Sequence, residues 1–166
     1  MRPAFSERPA MSDGAAARPT VGRRVQRLAP EAGSAAIGDC RDVTRIALAQ
    51  WWRAPEGDDS RPYDGDRARE ALVEDVVLMV SEVVTNACMH TTGPLEFRLD
   101  CTWERLRVEV TDPSPRPPVM QPPASGLDGG QGLRMVDRLA RAWGYEPRGG
   151  GKAVWLEVAC PPDVAV

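Results

Sequence analysis

The chain has 166 residues, a length that suits one compact domain with a tail and leaves little room for a second core. Hydrophobic residues make up 42% of it, enough to build that core, and Trp supplies five of the nine aromatic side chains as large packing anchors. A formal net charge of −3 argues against nucleic-acid binding by the domain as a whole.

The charge is uneven. Residues 1–28 carry six arginines (Arg2, Arg8, Arg18, Arg23, Arg24, Arg27) against Glu7 and Asp13, a local charge of +4, so the remainder sums to −7. Residues 1–20 hold almost no bulky apolar side chains and cannot offset the entropy of ordering, which predicts a disordered, solvated basic tail. A short strand is expected over Val21–Leu28, stopped by Pro30.

Ser34 is placed to N-cap a helix reaching Trp52, in which Ile37, Cys40, Thr44, Ala47, Leu48 and Trp51 recur at helical spacing. Pro55–Asp66, crowded with Gly, Pro, Asp and Ser, predicts a loop. A stronger helix follows over Arg67–His90, with Leu72, Val76, Met79, Val83 and Ala87 on one face, and Thr92-Gly93-Pro94 ends it. Leu95–Leu99 and Leu106–Val110 alternate cleanly and predict an antiparallel hairpin. The Pro/Gly/Ser-rich stretch Pro113–Gly130 is too long for an ordinary connection and is expected to lack order without a ligand. A third helix is expected from Gly132 to about Trp143, then a strand near Tyr145, a Gly149-Gly150-Gly151 turn and a last strand over Ala153–Ala159. Residues 161–166 read as a short C-terminal tail, which leaves residues 21–160 as the one domain.

Helices and strands do not alternate strictly in this order, which argues against a doubly wound parallel sheet. The expected fold is an α+β two-layer sandwich: a mixed, mostly antiparallel sheet with helices on one face. None of the four cysteines (Cys40, Cys88, Cys101, Cys160) forms a CxxC pair, and a lone histidine excludes the usual Cys/His zinc patterns, so reduced thiols are expected. The N-terminus has no apolar signal core, and the longest strongly apolar run, Val76–Val80, is far too short to span a bilayer. A soluble cytoplasmic protein with no membrane and no nucleic-acid partner is the expectation.

Three features stand out chemically. Glu82, Asn86 and His90 follow one another at i, i+4 steps inside the second helix, which aligns them along one edge. A carboxylate and an amide oxygen so placed suit a divalent cation and an incoming nucleophile, although a solvent-facing polar edge has the same spacing. Asp112 ends a strand, where it can cap a turn or, if buried, accept a hydrogen bond from an amino group such as that of adenine. Gly130-Gln131-Gly132-Leu133 opens a helix with the close backbone approach and free N–H groups that favour a phosphate. It is not a Rossmann fingerprint, because Met135 stands at the third glycine position. Gly149-Gly150-Gly151-Lys152-Ala153 is not a P-loop either, since Glu146 and Ala153 break that pattern, and it reads as a hairpin turn.

Taken jointly, the phrases SEVVTNACMH, DPSP, GQGLRMVDRLA and GGKAVW resemble the Bergerat (GHKL, histidine kinase-like) ATP-binding fold, and most closely its small bacterial anti-sigma-factor serine/threonine kinases. The resemblance covers Val21–Ala159. It implies ATP and Mg2+ as cofactors, with Asn86 as the metal ligand bridging to the phosphates and Glu82 as general base. It further implies Asp112 reading adenine, and Gly130, Gly132 and Leu133 framing the lid and phosphates. His90 falls at a position that either orients the phosphate side or packs. The implied partners are a STAS-type anti-anti-sigma protein, which would supply the phosphoacceptor hydroxyl, and a sigma factor; a homodimer is left open. Two departures accompany the match. The glycines that usually follow the adenine-reading aspartate are replaced in Asp112-Pro113-Ser114-Pro115-Arg116, which stiffens the backbone there. Ala153 stands where the family often has Thr, which removes a hydroxyl near the base. A non-catalytic nucleotide-binding interaction module is the competing expectation. A sensor histidine kinase lacks its helical hairpin here, and a topoisomerase-type ATPase would need a transducer domain for which there is no length.

Overall fold

The computed structural model describes residues 20–53, 64–120 and 131–162. The expected tail (1–19), most of the expected first loop (54–63), the second half of the long loop including Gly130 (121–130) and the last residues (163–166) lie outside the described residues.

Five strands form one open sheet in the order β1-β2-β3-β5-β4, with β1 Thr20–Arg27, β2 Glu96–Thr102, β3 Arg105–Asp112, β4 Ala142–Arg148 and β5 Gly151–Ala159. Among the described residues every pairing is antiparallel, in keeping with the mostly antiparallel sheet expected above. Three helices, α1 Ala35–Trp51, α2 Asp64–His90 and α3 Gln131–Leu139, cover one face. The central one, α2, packs against α1, α3 and β3, while α1 lies over β1 and β2 and α3 over β4. Among the described residues no helix is long and apolar enough to cross a membrane.

Strand alternation sets the two faces of the sheet. In register across three strands stand Phe97, Val110 and Val154, then Leu99, Val108 and Leu156, then Cys101, Leu106 and Val158, all buried beneath the helices. Against them α2 presents Val76, Met79, Val80, Val83, Val84 and Ala87. These sit on a wider arc than a single stripe because α2 has neighbours on three sides. The opposite face of the sheet is charged. Arg107 bridges Glu109, Glu146 and Glu157 there, and its guanidinium stacks 4.3 Å from the Trp155 ring centroid.

Three local expectations change. Ser34 already has helical dihedrals (φ −66°, ψ −21°) and makes no side-chain cap. A short 3-10 turn over Pro30–Ala32 leads into α1 instead, and Ala36 N–H donates to Gly33 O. The second helix starts at Asp64 rather than Arg67. The third ends at Leu139, and Trp143 belongs to β4, where it pairs with Leu156 and donates its indole N–H to Asp137 Oδ1 at 2.9 Å. The switch comes at Arg141, whose N–H goes to Glu157 O across the sheet and away from the helix. The tight β4–β5 hairpin holds as expected. Gly149 and Gly150 take φ of 54° and 86°, the paired positive values that a two-residue turn matching strand twist requires.

All four cysteines are free. Burial pushes the Cys40 thiol up to about 12, with the nearby Asp39 and Cys88 acting in the same direction.

Candidate functional site

Asp112 closes β3 in phase with Val108 and Val110, so its side chain falls on the helix-covered side of the sheet at the end of an apolar row. It is 1% exposed. Directly opposite in register is Lys152 of β5, itself 3% exposed, and its ammonium donates to Asp112 Oδ1 at 2.9 Å. The same Oδ1 accepts the backbone N–H of Ser114 at 2.8 Å, and Lys152 also donates to Ser114 O at 3.2 Å. Oδ2 of Asp112 is buried and receives no donor. A carboxylate taken out of water at such a cost should be paired on both oxygens, so an unspent acceptor here points to a donor supplied from outside the chain.

The replaced glycines after Asp112 prove compatible with this turn. Ser114 N–H folds back onto the aspartate side chain as an Asx turn, which needs no positive φ, and no described non-glycine residue has one. The Ala153 expectation is corrected. Ala153 pairs with Thr111 and lies in register with the charged, outer face, so the side chain next to Asp112 is that of Lys152.

A cavity of about 280 Å³ opens beside this pair, near the small end of ligand pockets, which run roughly 300–1,000 Å³. Asn86 and His90 of α2 form one side. Ser114, Arg116, Pro117, Pro118 and Val119 form another, and Lys152 completes the lining. The helix edge and the strand end noted in the sequence therefore meet across one space, with Asp112 held behind Lys152 and Ser114. Asn86 brings an amide oxygen and nitrogen, while His90, Arg116 and Lys152 bring donors suited to an anion.

Glu82 does not line this cavity. It stands one turn before Asn86, and its carboxylate abuts α3, where a Cβ added at Gly132 would collide with Glu82 Oε2. That Cβ would also stand 3.1 Å from Glu82 Cβ, so the glycine eases the close approach of the two helices. The carboxylate sits by the first turn of α3, whose free N–H groups favour negative charge. Leu133 is 3% exposed and its side chain belongs to the core, which leaves its backbone N–H as the group available to a phosphate. Gly130 lies outside the described residues. Among those residues no group of three or more His, Cys, Asp or Glu is placed to hold a metal.

Sequence reasoning missed Lys152 as a site residue. The signal was present: Lys152 is in phase with Val154, Leu156 and Val158, and a lysine at an inward strand position needs a buried partner.

Comparison with known proteins bears directly on this cavity. Residues 64–158, more than half of the chain, match the histidine kinase-like ATPase domain. The matched segment runs from the first residue of α2 to the penultimate residue of β5 and includes every site residue discussed above. The chain is also 45% identical over 60 residues to an uncharacterized protein of Streptomyces coelicolor, a match covering 35% of this chain and 57% of that protein's length.

A domain of this kind binds ATP, and the residues present fit a purine nucleotide. The orphaned Oδ2 of Asp112 needs a donor such as an exocyclic amine, and the cationic and amide groups at the other side of the cavity suit phosphates. On the matched range, the antiparallel sheet with helices on one face and the paired strand-end carboxylate, the chain belongs to the histidine kinase-like ATPase domain family.

Proposed function

We propose that this ATP-binding regulatory protein is a magnesium-dependent serine/threonine protein kinase of the anti-sigma-factor type. Its substrate would be a hydroxyl on a STAS-type anti-anti-sigma partner, and a sigma factor would be its second ligand. The observation that carries the reading is the meeting of Asn86 and His90 with Lys152 and Ser114 around one cavity, backed by the unsatisfied Asp112 Oδ2.

In this reading Asp112 and its neighbours hold the base. Asn86 would offer its amide oxygen to Mg2+, which would supply neutralisation of the phosphate charge. Glu82, one helical turn away, accepts the proton of the incoming serine or threonine hydroxyl, a role worth roughly 10²–10⁴ in rate. Its carboxylate abuts the first turn of α3 at Gly132, where the helix N-terminus would favour its negative charge.

Incubating the purified chain with labelled Mg-ATP and a STAS-domain partner tests this proposal. Transfer of label to a partner hydroxyl, lost in Glu82→Gln while ATP affinity stays within a few-fold, is the expected result. ATP binding without transfer to any such partner would instead favour a non-catalytic module in which nucleotide controls docking. That second reading has its own support in the structure, because Glu82 stands outside the cavity that Asn86 and His90 line.

A further inference from the structure

The hydrogen-bond inventory around Asp112 leaves two groups unspent. The carboxylate has one free acceptor, Oδ2, because Oδ1 already takes Lys152 Nζ and Ser114 N–H. The ammonium of Lys152 has three protons and spends two, on Asp112 Oδ1 and Ser114 O. Lys152 lines the cavity, although its side chain is only 4% exposed. A donor and an acceptor therefore stand side by side at the end of β3 and β5, joined through the Oδ1 bond.

Resting on the nucleotide-binding reading, in which Asp112 takes the exocyclic amine of adenine, we propose that Lys152 is a second base-reading residue, one that recognises N1 of the 6-aminopurine. The exocyclic amine and N1 of adenine are attached to the same carbon, a donor next to an acceptor. The pair offers the complement: Oδ2 accepts from the amine, and the third ammonium proton of Lys152 goes to N1. Guanine and hypoxanthine in the same pose present a carbonyl oxygen to Oδ2 and an N1–H to the ammonium. Both contacts then set like against like, and a site built for a specific donor and acceptor rejects such a ligand strongly. The outward position of Ala153 leaves Lys152 as the β5 residue able to do this. Its charge is neutralised by Asp112, so the base meets a paired donor and acceptor and no net charge.

Titrating the 166-residue chain with ATP, with its 1-deaza analogue (N1 replaced by C–H) and with ITP, in the wild type and in Lys152→Met, tests the proposal. Loss of one hydrogen bond to a charged group predicts that wild type binds 1-deaza-ATP roughly 10–100-fold more weakly than ATP, and ITP at least as weakly. In Lys152→Met the ATP to 1-deaza-ATP ratio falls to within about threefold, a change that a purely structural lysine would not produce. The wild-type arm stands on its own should the variant fold poorly. Equal wild-type affinity for ATP and 1-deaza-ATP overturns the role of Lys152 while leaving the nucleotide site intact. No binding of any adenine nucleotide to the wild type overturns both.

Discussion

The Asp112–Lys152 pair makes a prediction about stability that needs no ligand. The two side chains are 1% and 4% exposed and 2.9 Å apart, so both charges are almost wholly withdrawn from bulk water. Removing one partner from a buried pair leaves the other uncompensated, at a cost of about 3–5 kcal/mol, whereas replacing both by apolar groups of similar volume is often close to neutral. Lys152→Met and Asp112→Leu should each lower the urea midpoint by roughly 1–2.5 M, for a denaturant slope of about 2–3 kcal/mol per molar. The double variant should return to within about 2 kcal/mol of wild type, its residual loss coming from Ser114 N–H, which forfeits its acceptor on Asp112. A double-mutant cycle by equilibrium urea unfolding, followed by far-UV circular dichroism, measures the coupling. Single losses below about 1 kcal/mol, or losses that simply add, would falsify the claim that the pair is a buried unit. The outcome also governs how nucleotide-binding variants are interpreted: Asp112→Ala weakens the fold and the base contact together, so its affinity loss needs the stability measurement beside it.

Other consequences follow from the packing. Gly132→Ala sets a Cβ against the flexible end of Glu82 and 3.1 Å from Glu82 Cβ, so the carboxylate swings aside and the helices give slightly, at a cost of about 1 kcal/mol. Gly38→Ala, in the exposed interior of α1 with nothing near its new methyl, should stabilise by about 0.5–1 kcal/mol, and thermal melts of the two variants should move in opposite directions. The Cys40 thiol keeps its proton in the folded state up to about pH 12, while the unfolded chain releases it near 9.0, so the folded state binds more protons between those values. Stability must therefore fall with rising pH across that window, and wild type should lose up to about 1.4 kcal/mol per pH unit more than Cys40→Ala; parallel curves would contradict it. At the far end of the sheet, the sulfurs of Cys101 and Cys160 stand 3.7 Å apart, and diamide should join them into a disulfide detectable by mass spectrometry and absent in Cys160→Ser.

Much of this fold was legible in the chain because its signals are local. Strict alternation in Leu95–Leu99 and Leu106–Val110, the repeat of Val76, Met79, Val83 and Ala87, and the paired glycines at 149 and 150 each fix an element through its own neighbours. The errors lie where distant segments decide. Trp143 continues a helical pattern, but its pairing with Leu156 and its bond to Asp137 make it strand. Ser34 is a good cap by type, yet the 3-10 turn before it already supplies the helix entry. The alternation of β5 marks Lys152 as inward-facing, but its pairing opposite Asp112 depends on strand register, which the local pattern does not give. The edge formed by Asn86 and His90 was visible from spacing, while the separation of Glu82 from their cavity depended on how α3 docks.

The central claim is a single cavity that takes an adenine nucleotide between the α2 edge and the β3–β5 strand ends. Calorimetric titration of ATP into the 166-residue chain, with and without magnesium, tests it most directly. The account predicts saturable one-to-one binding that tightens when magnesium is present and weakens in Asn86→Ala. Absence of any heat of binding at millimolar ATP in a folded sample, or binding indifferent to both magnesium and Asn86, would contradict it.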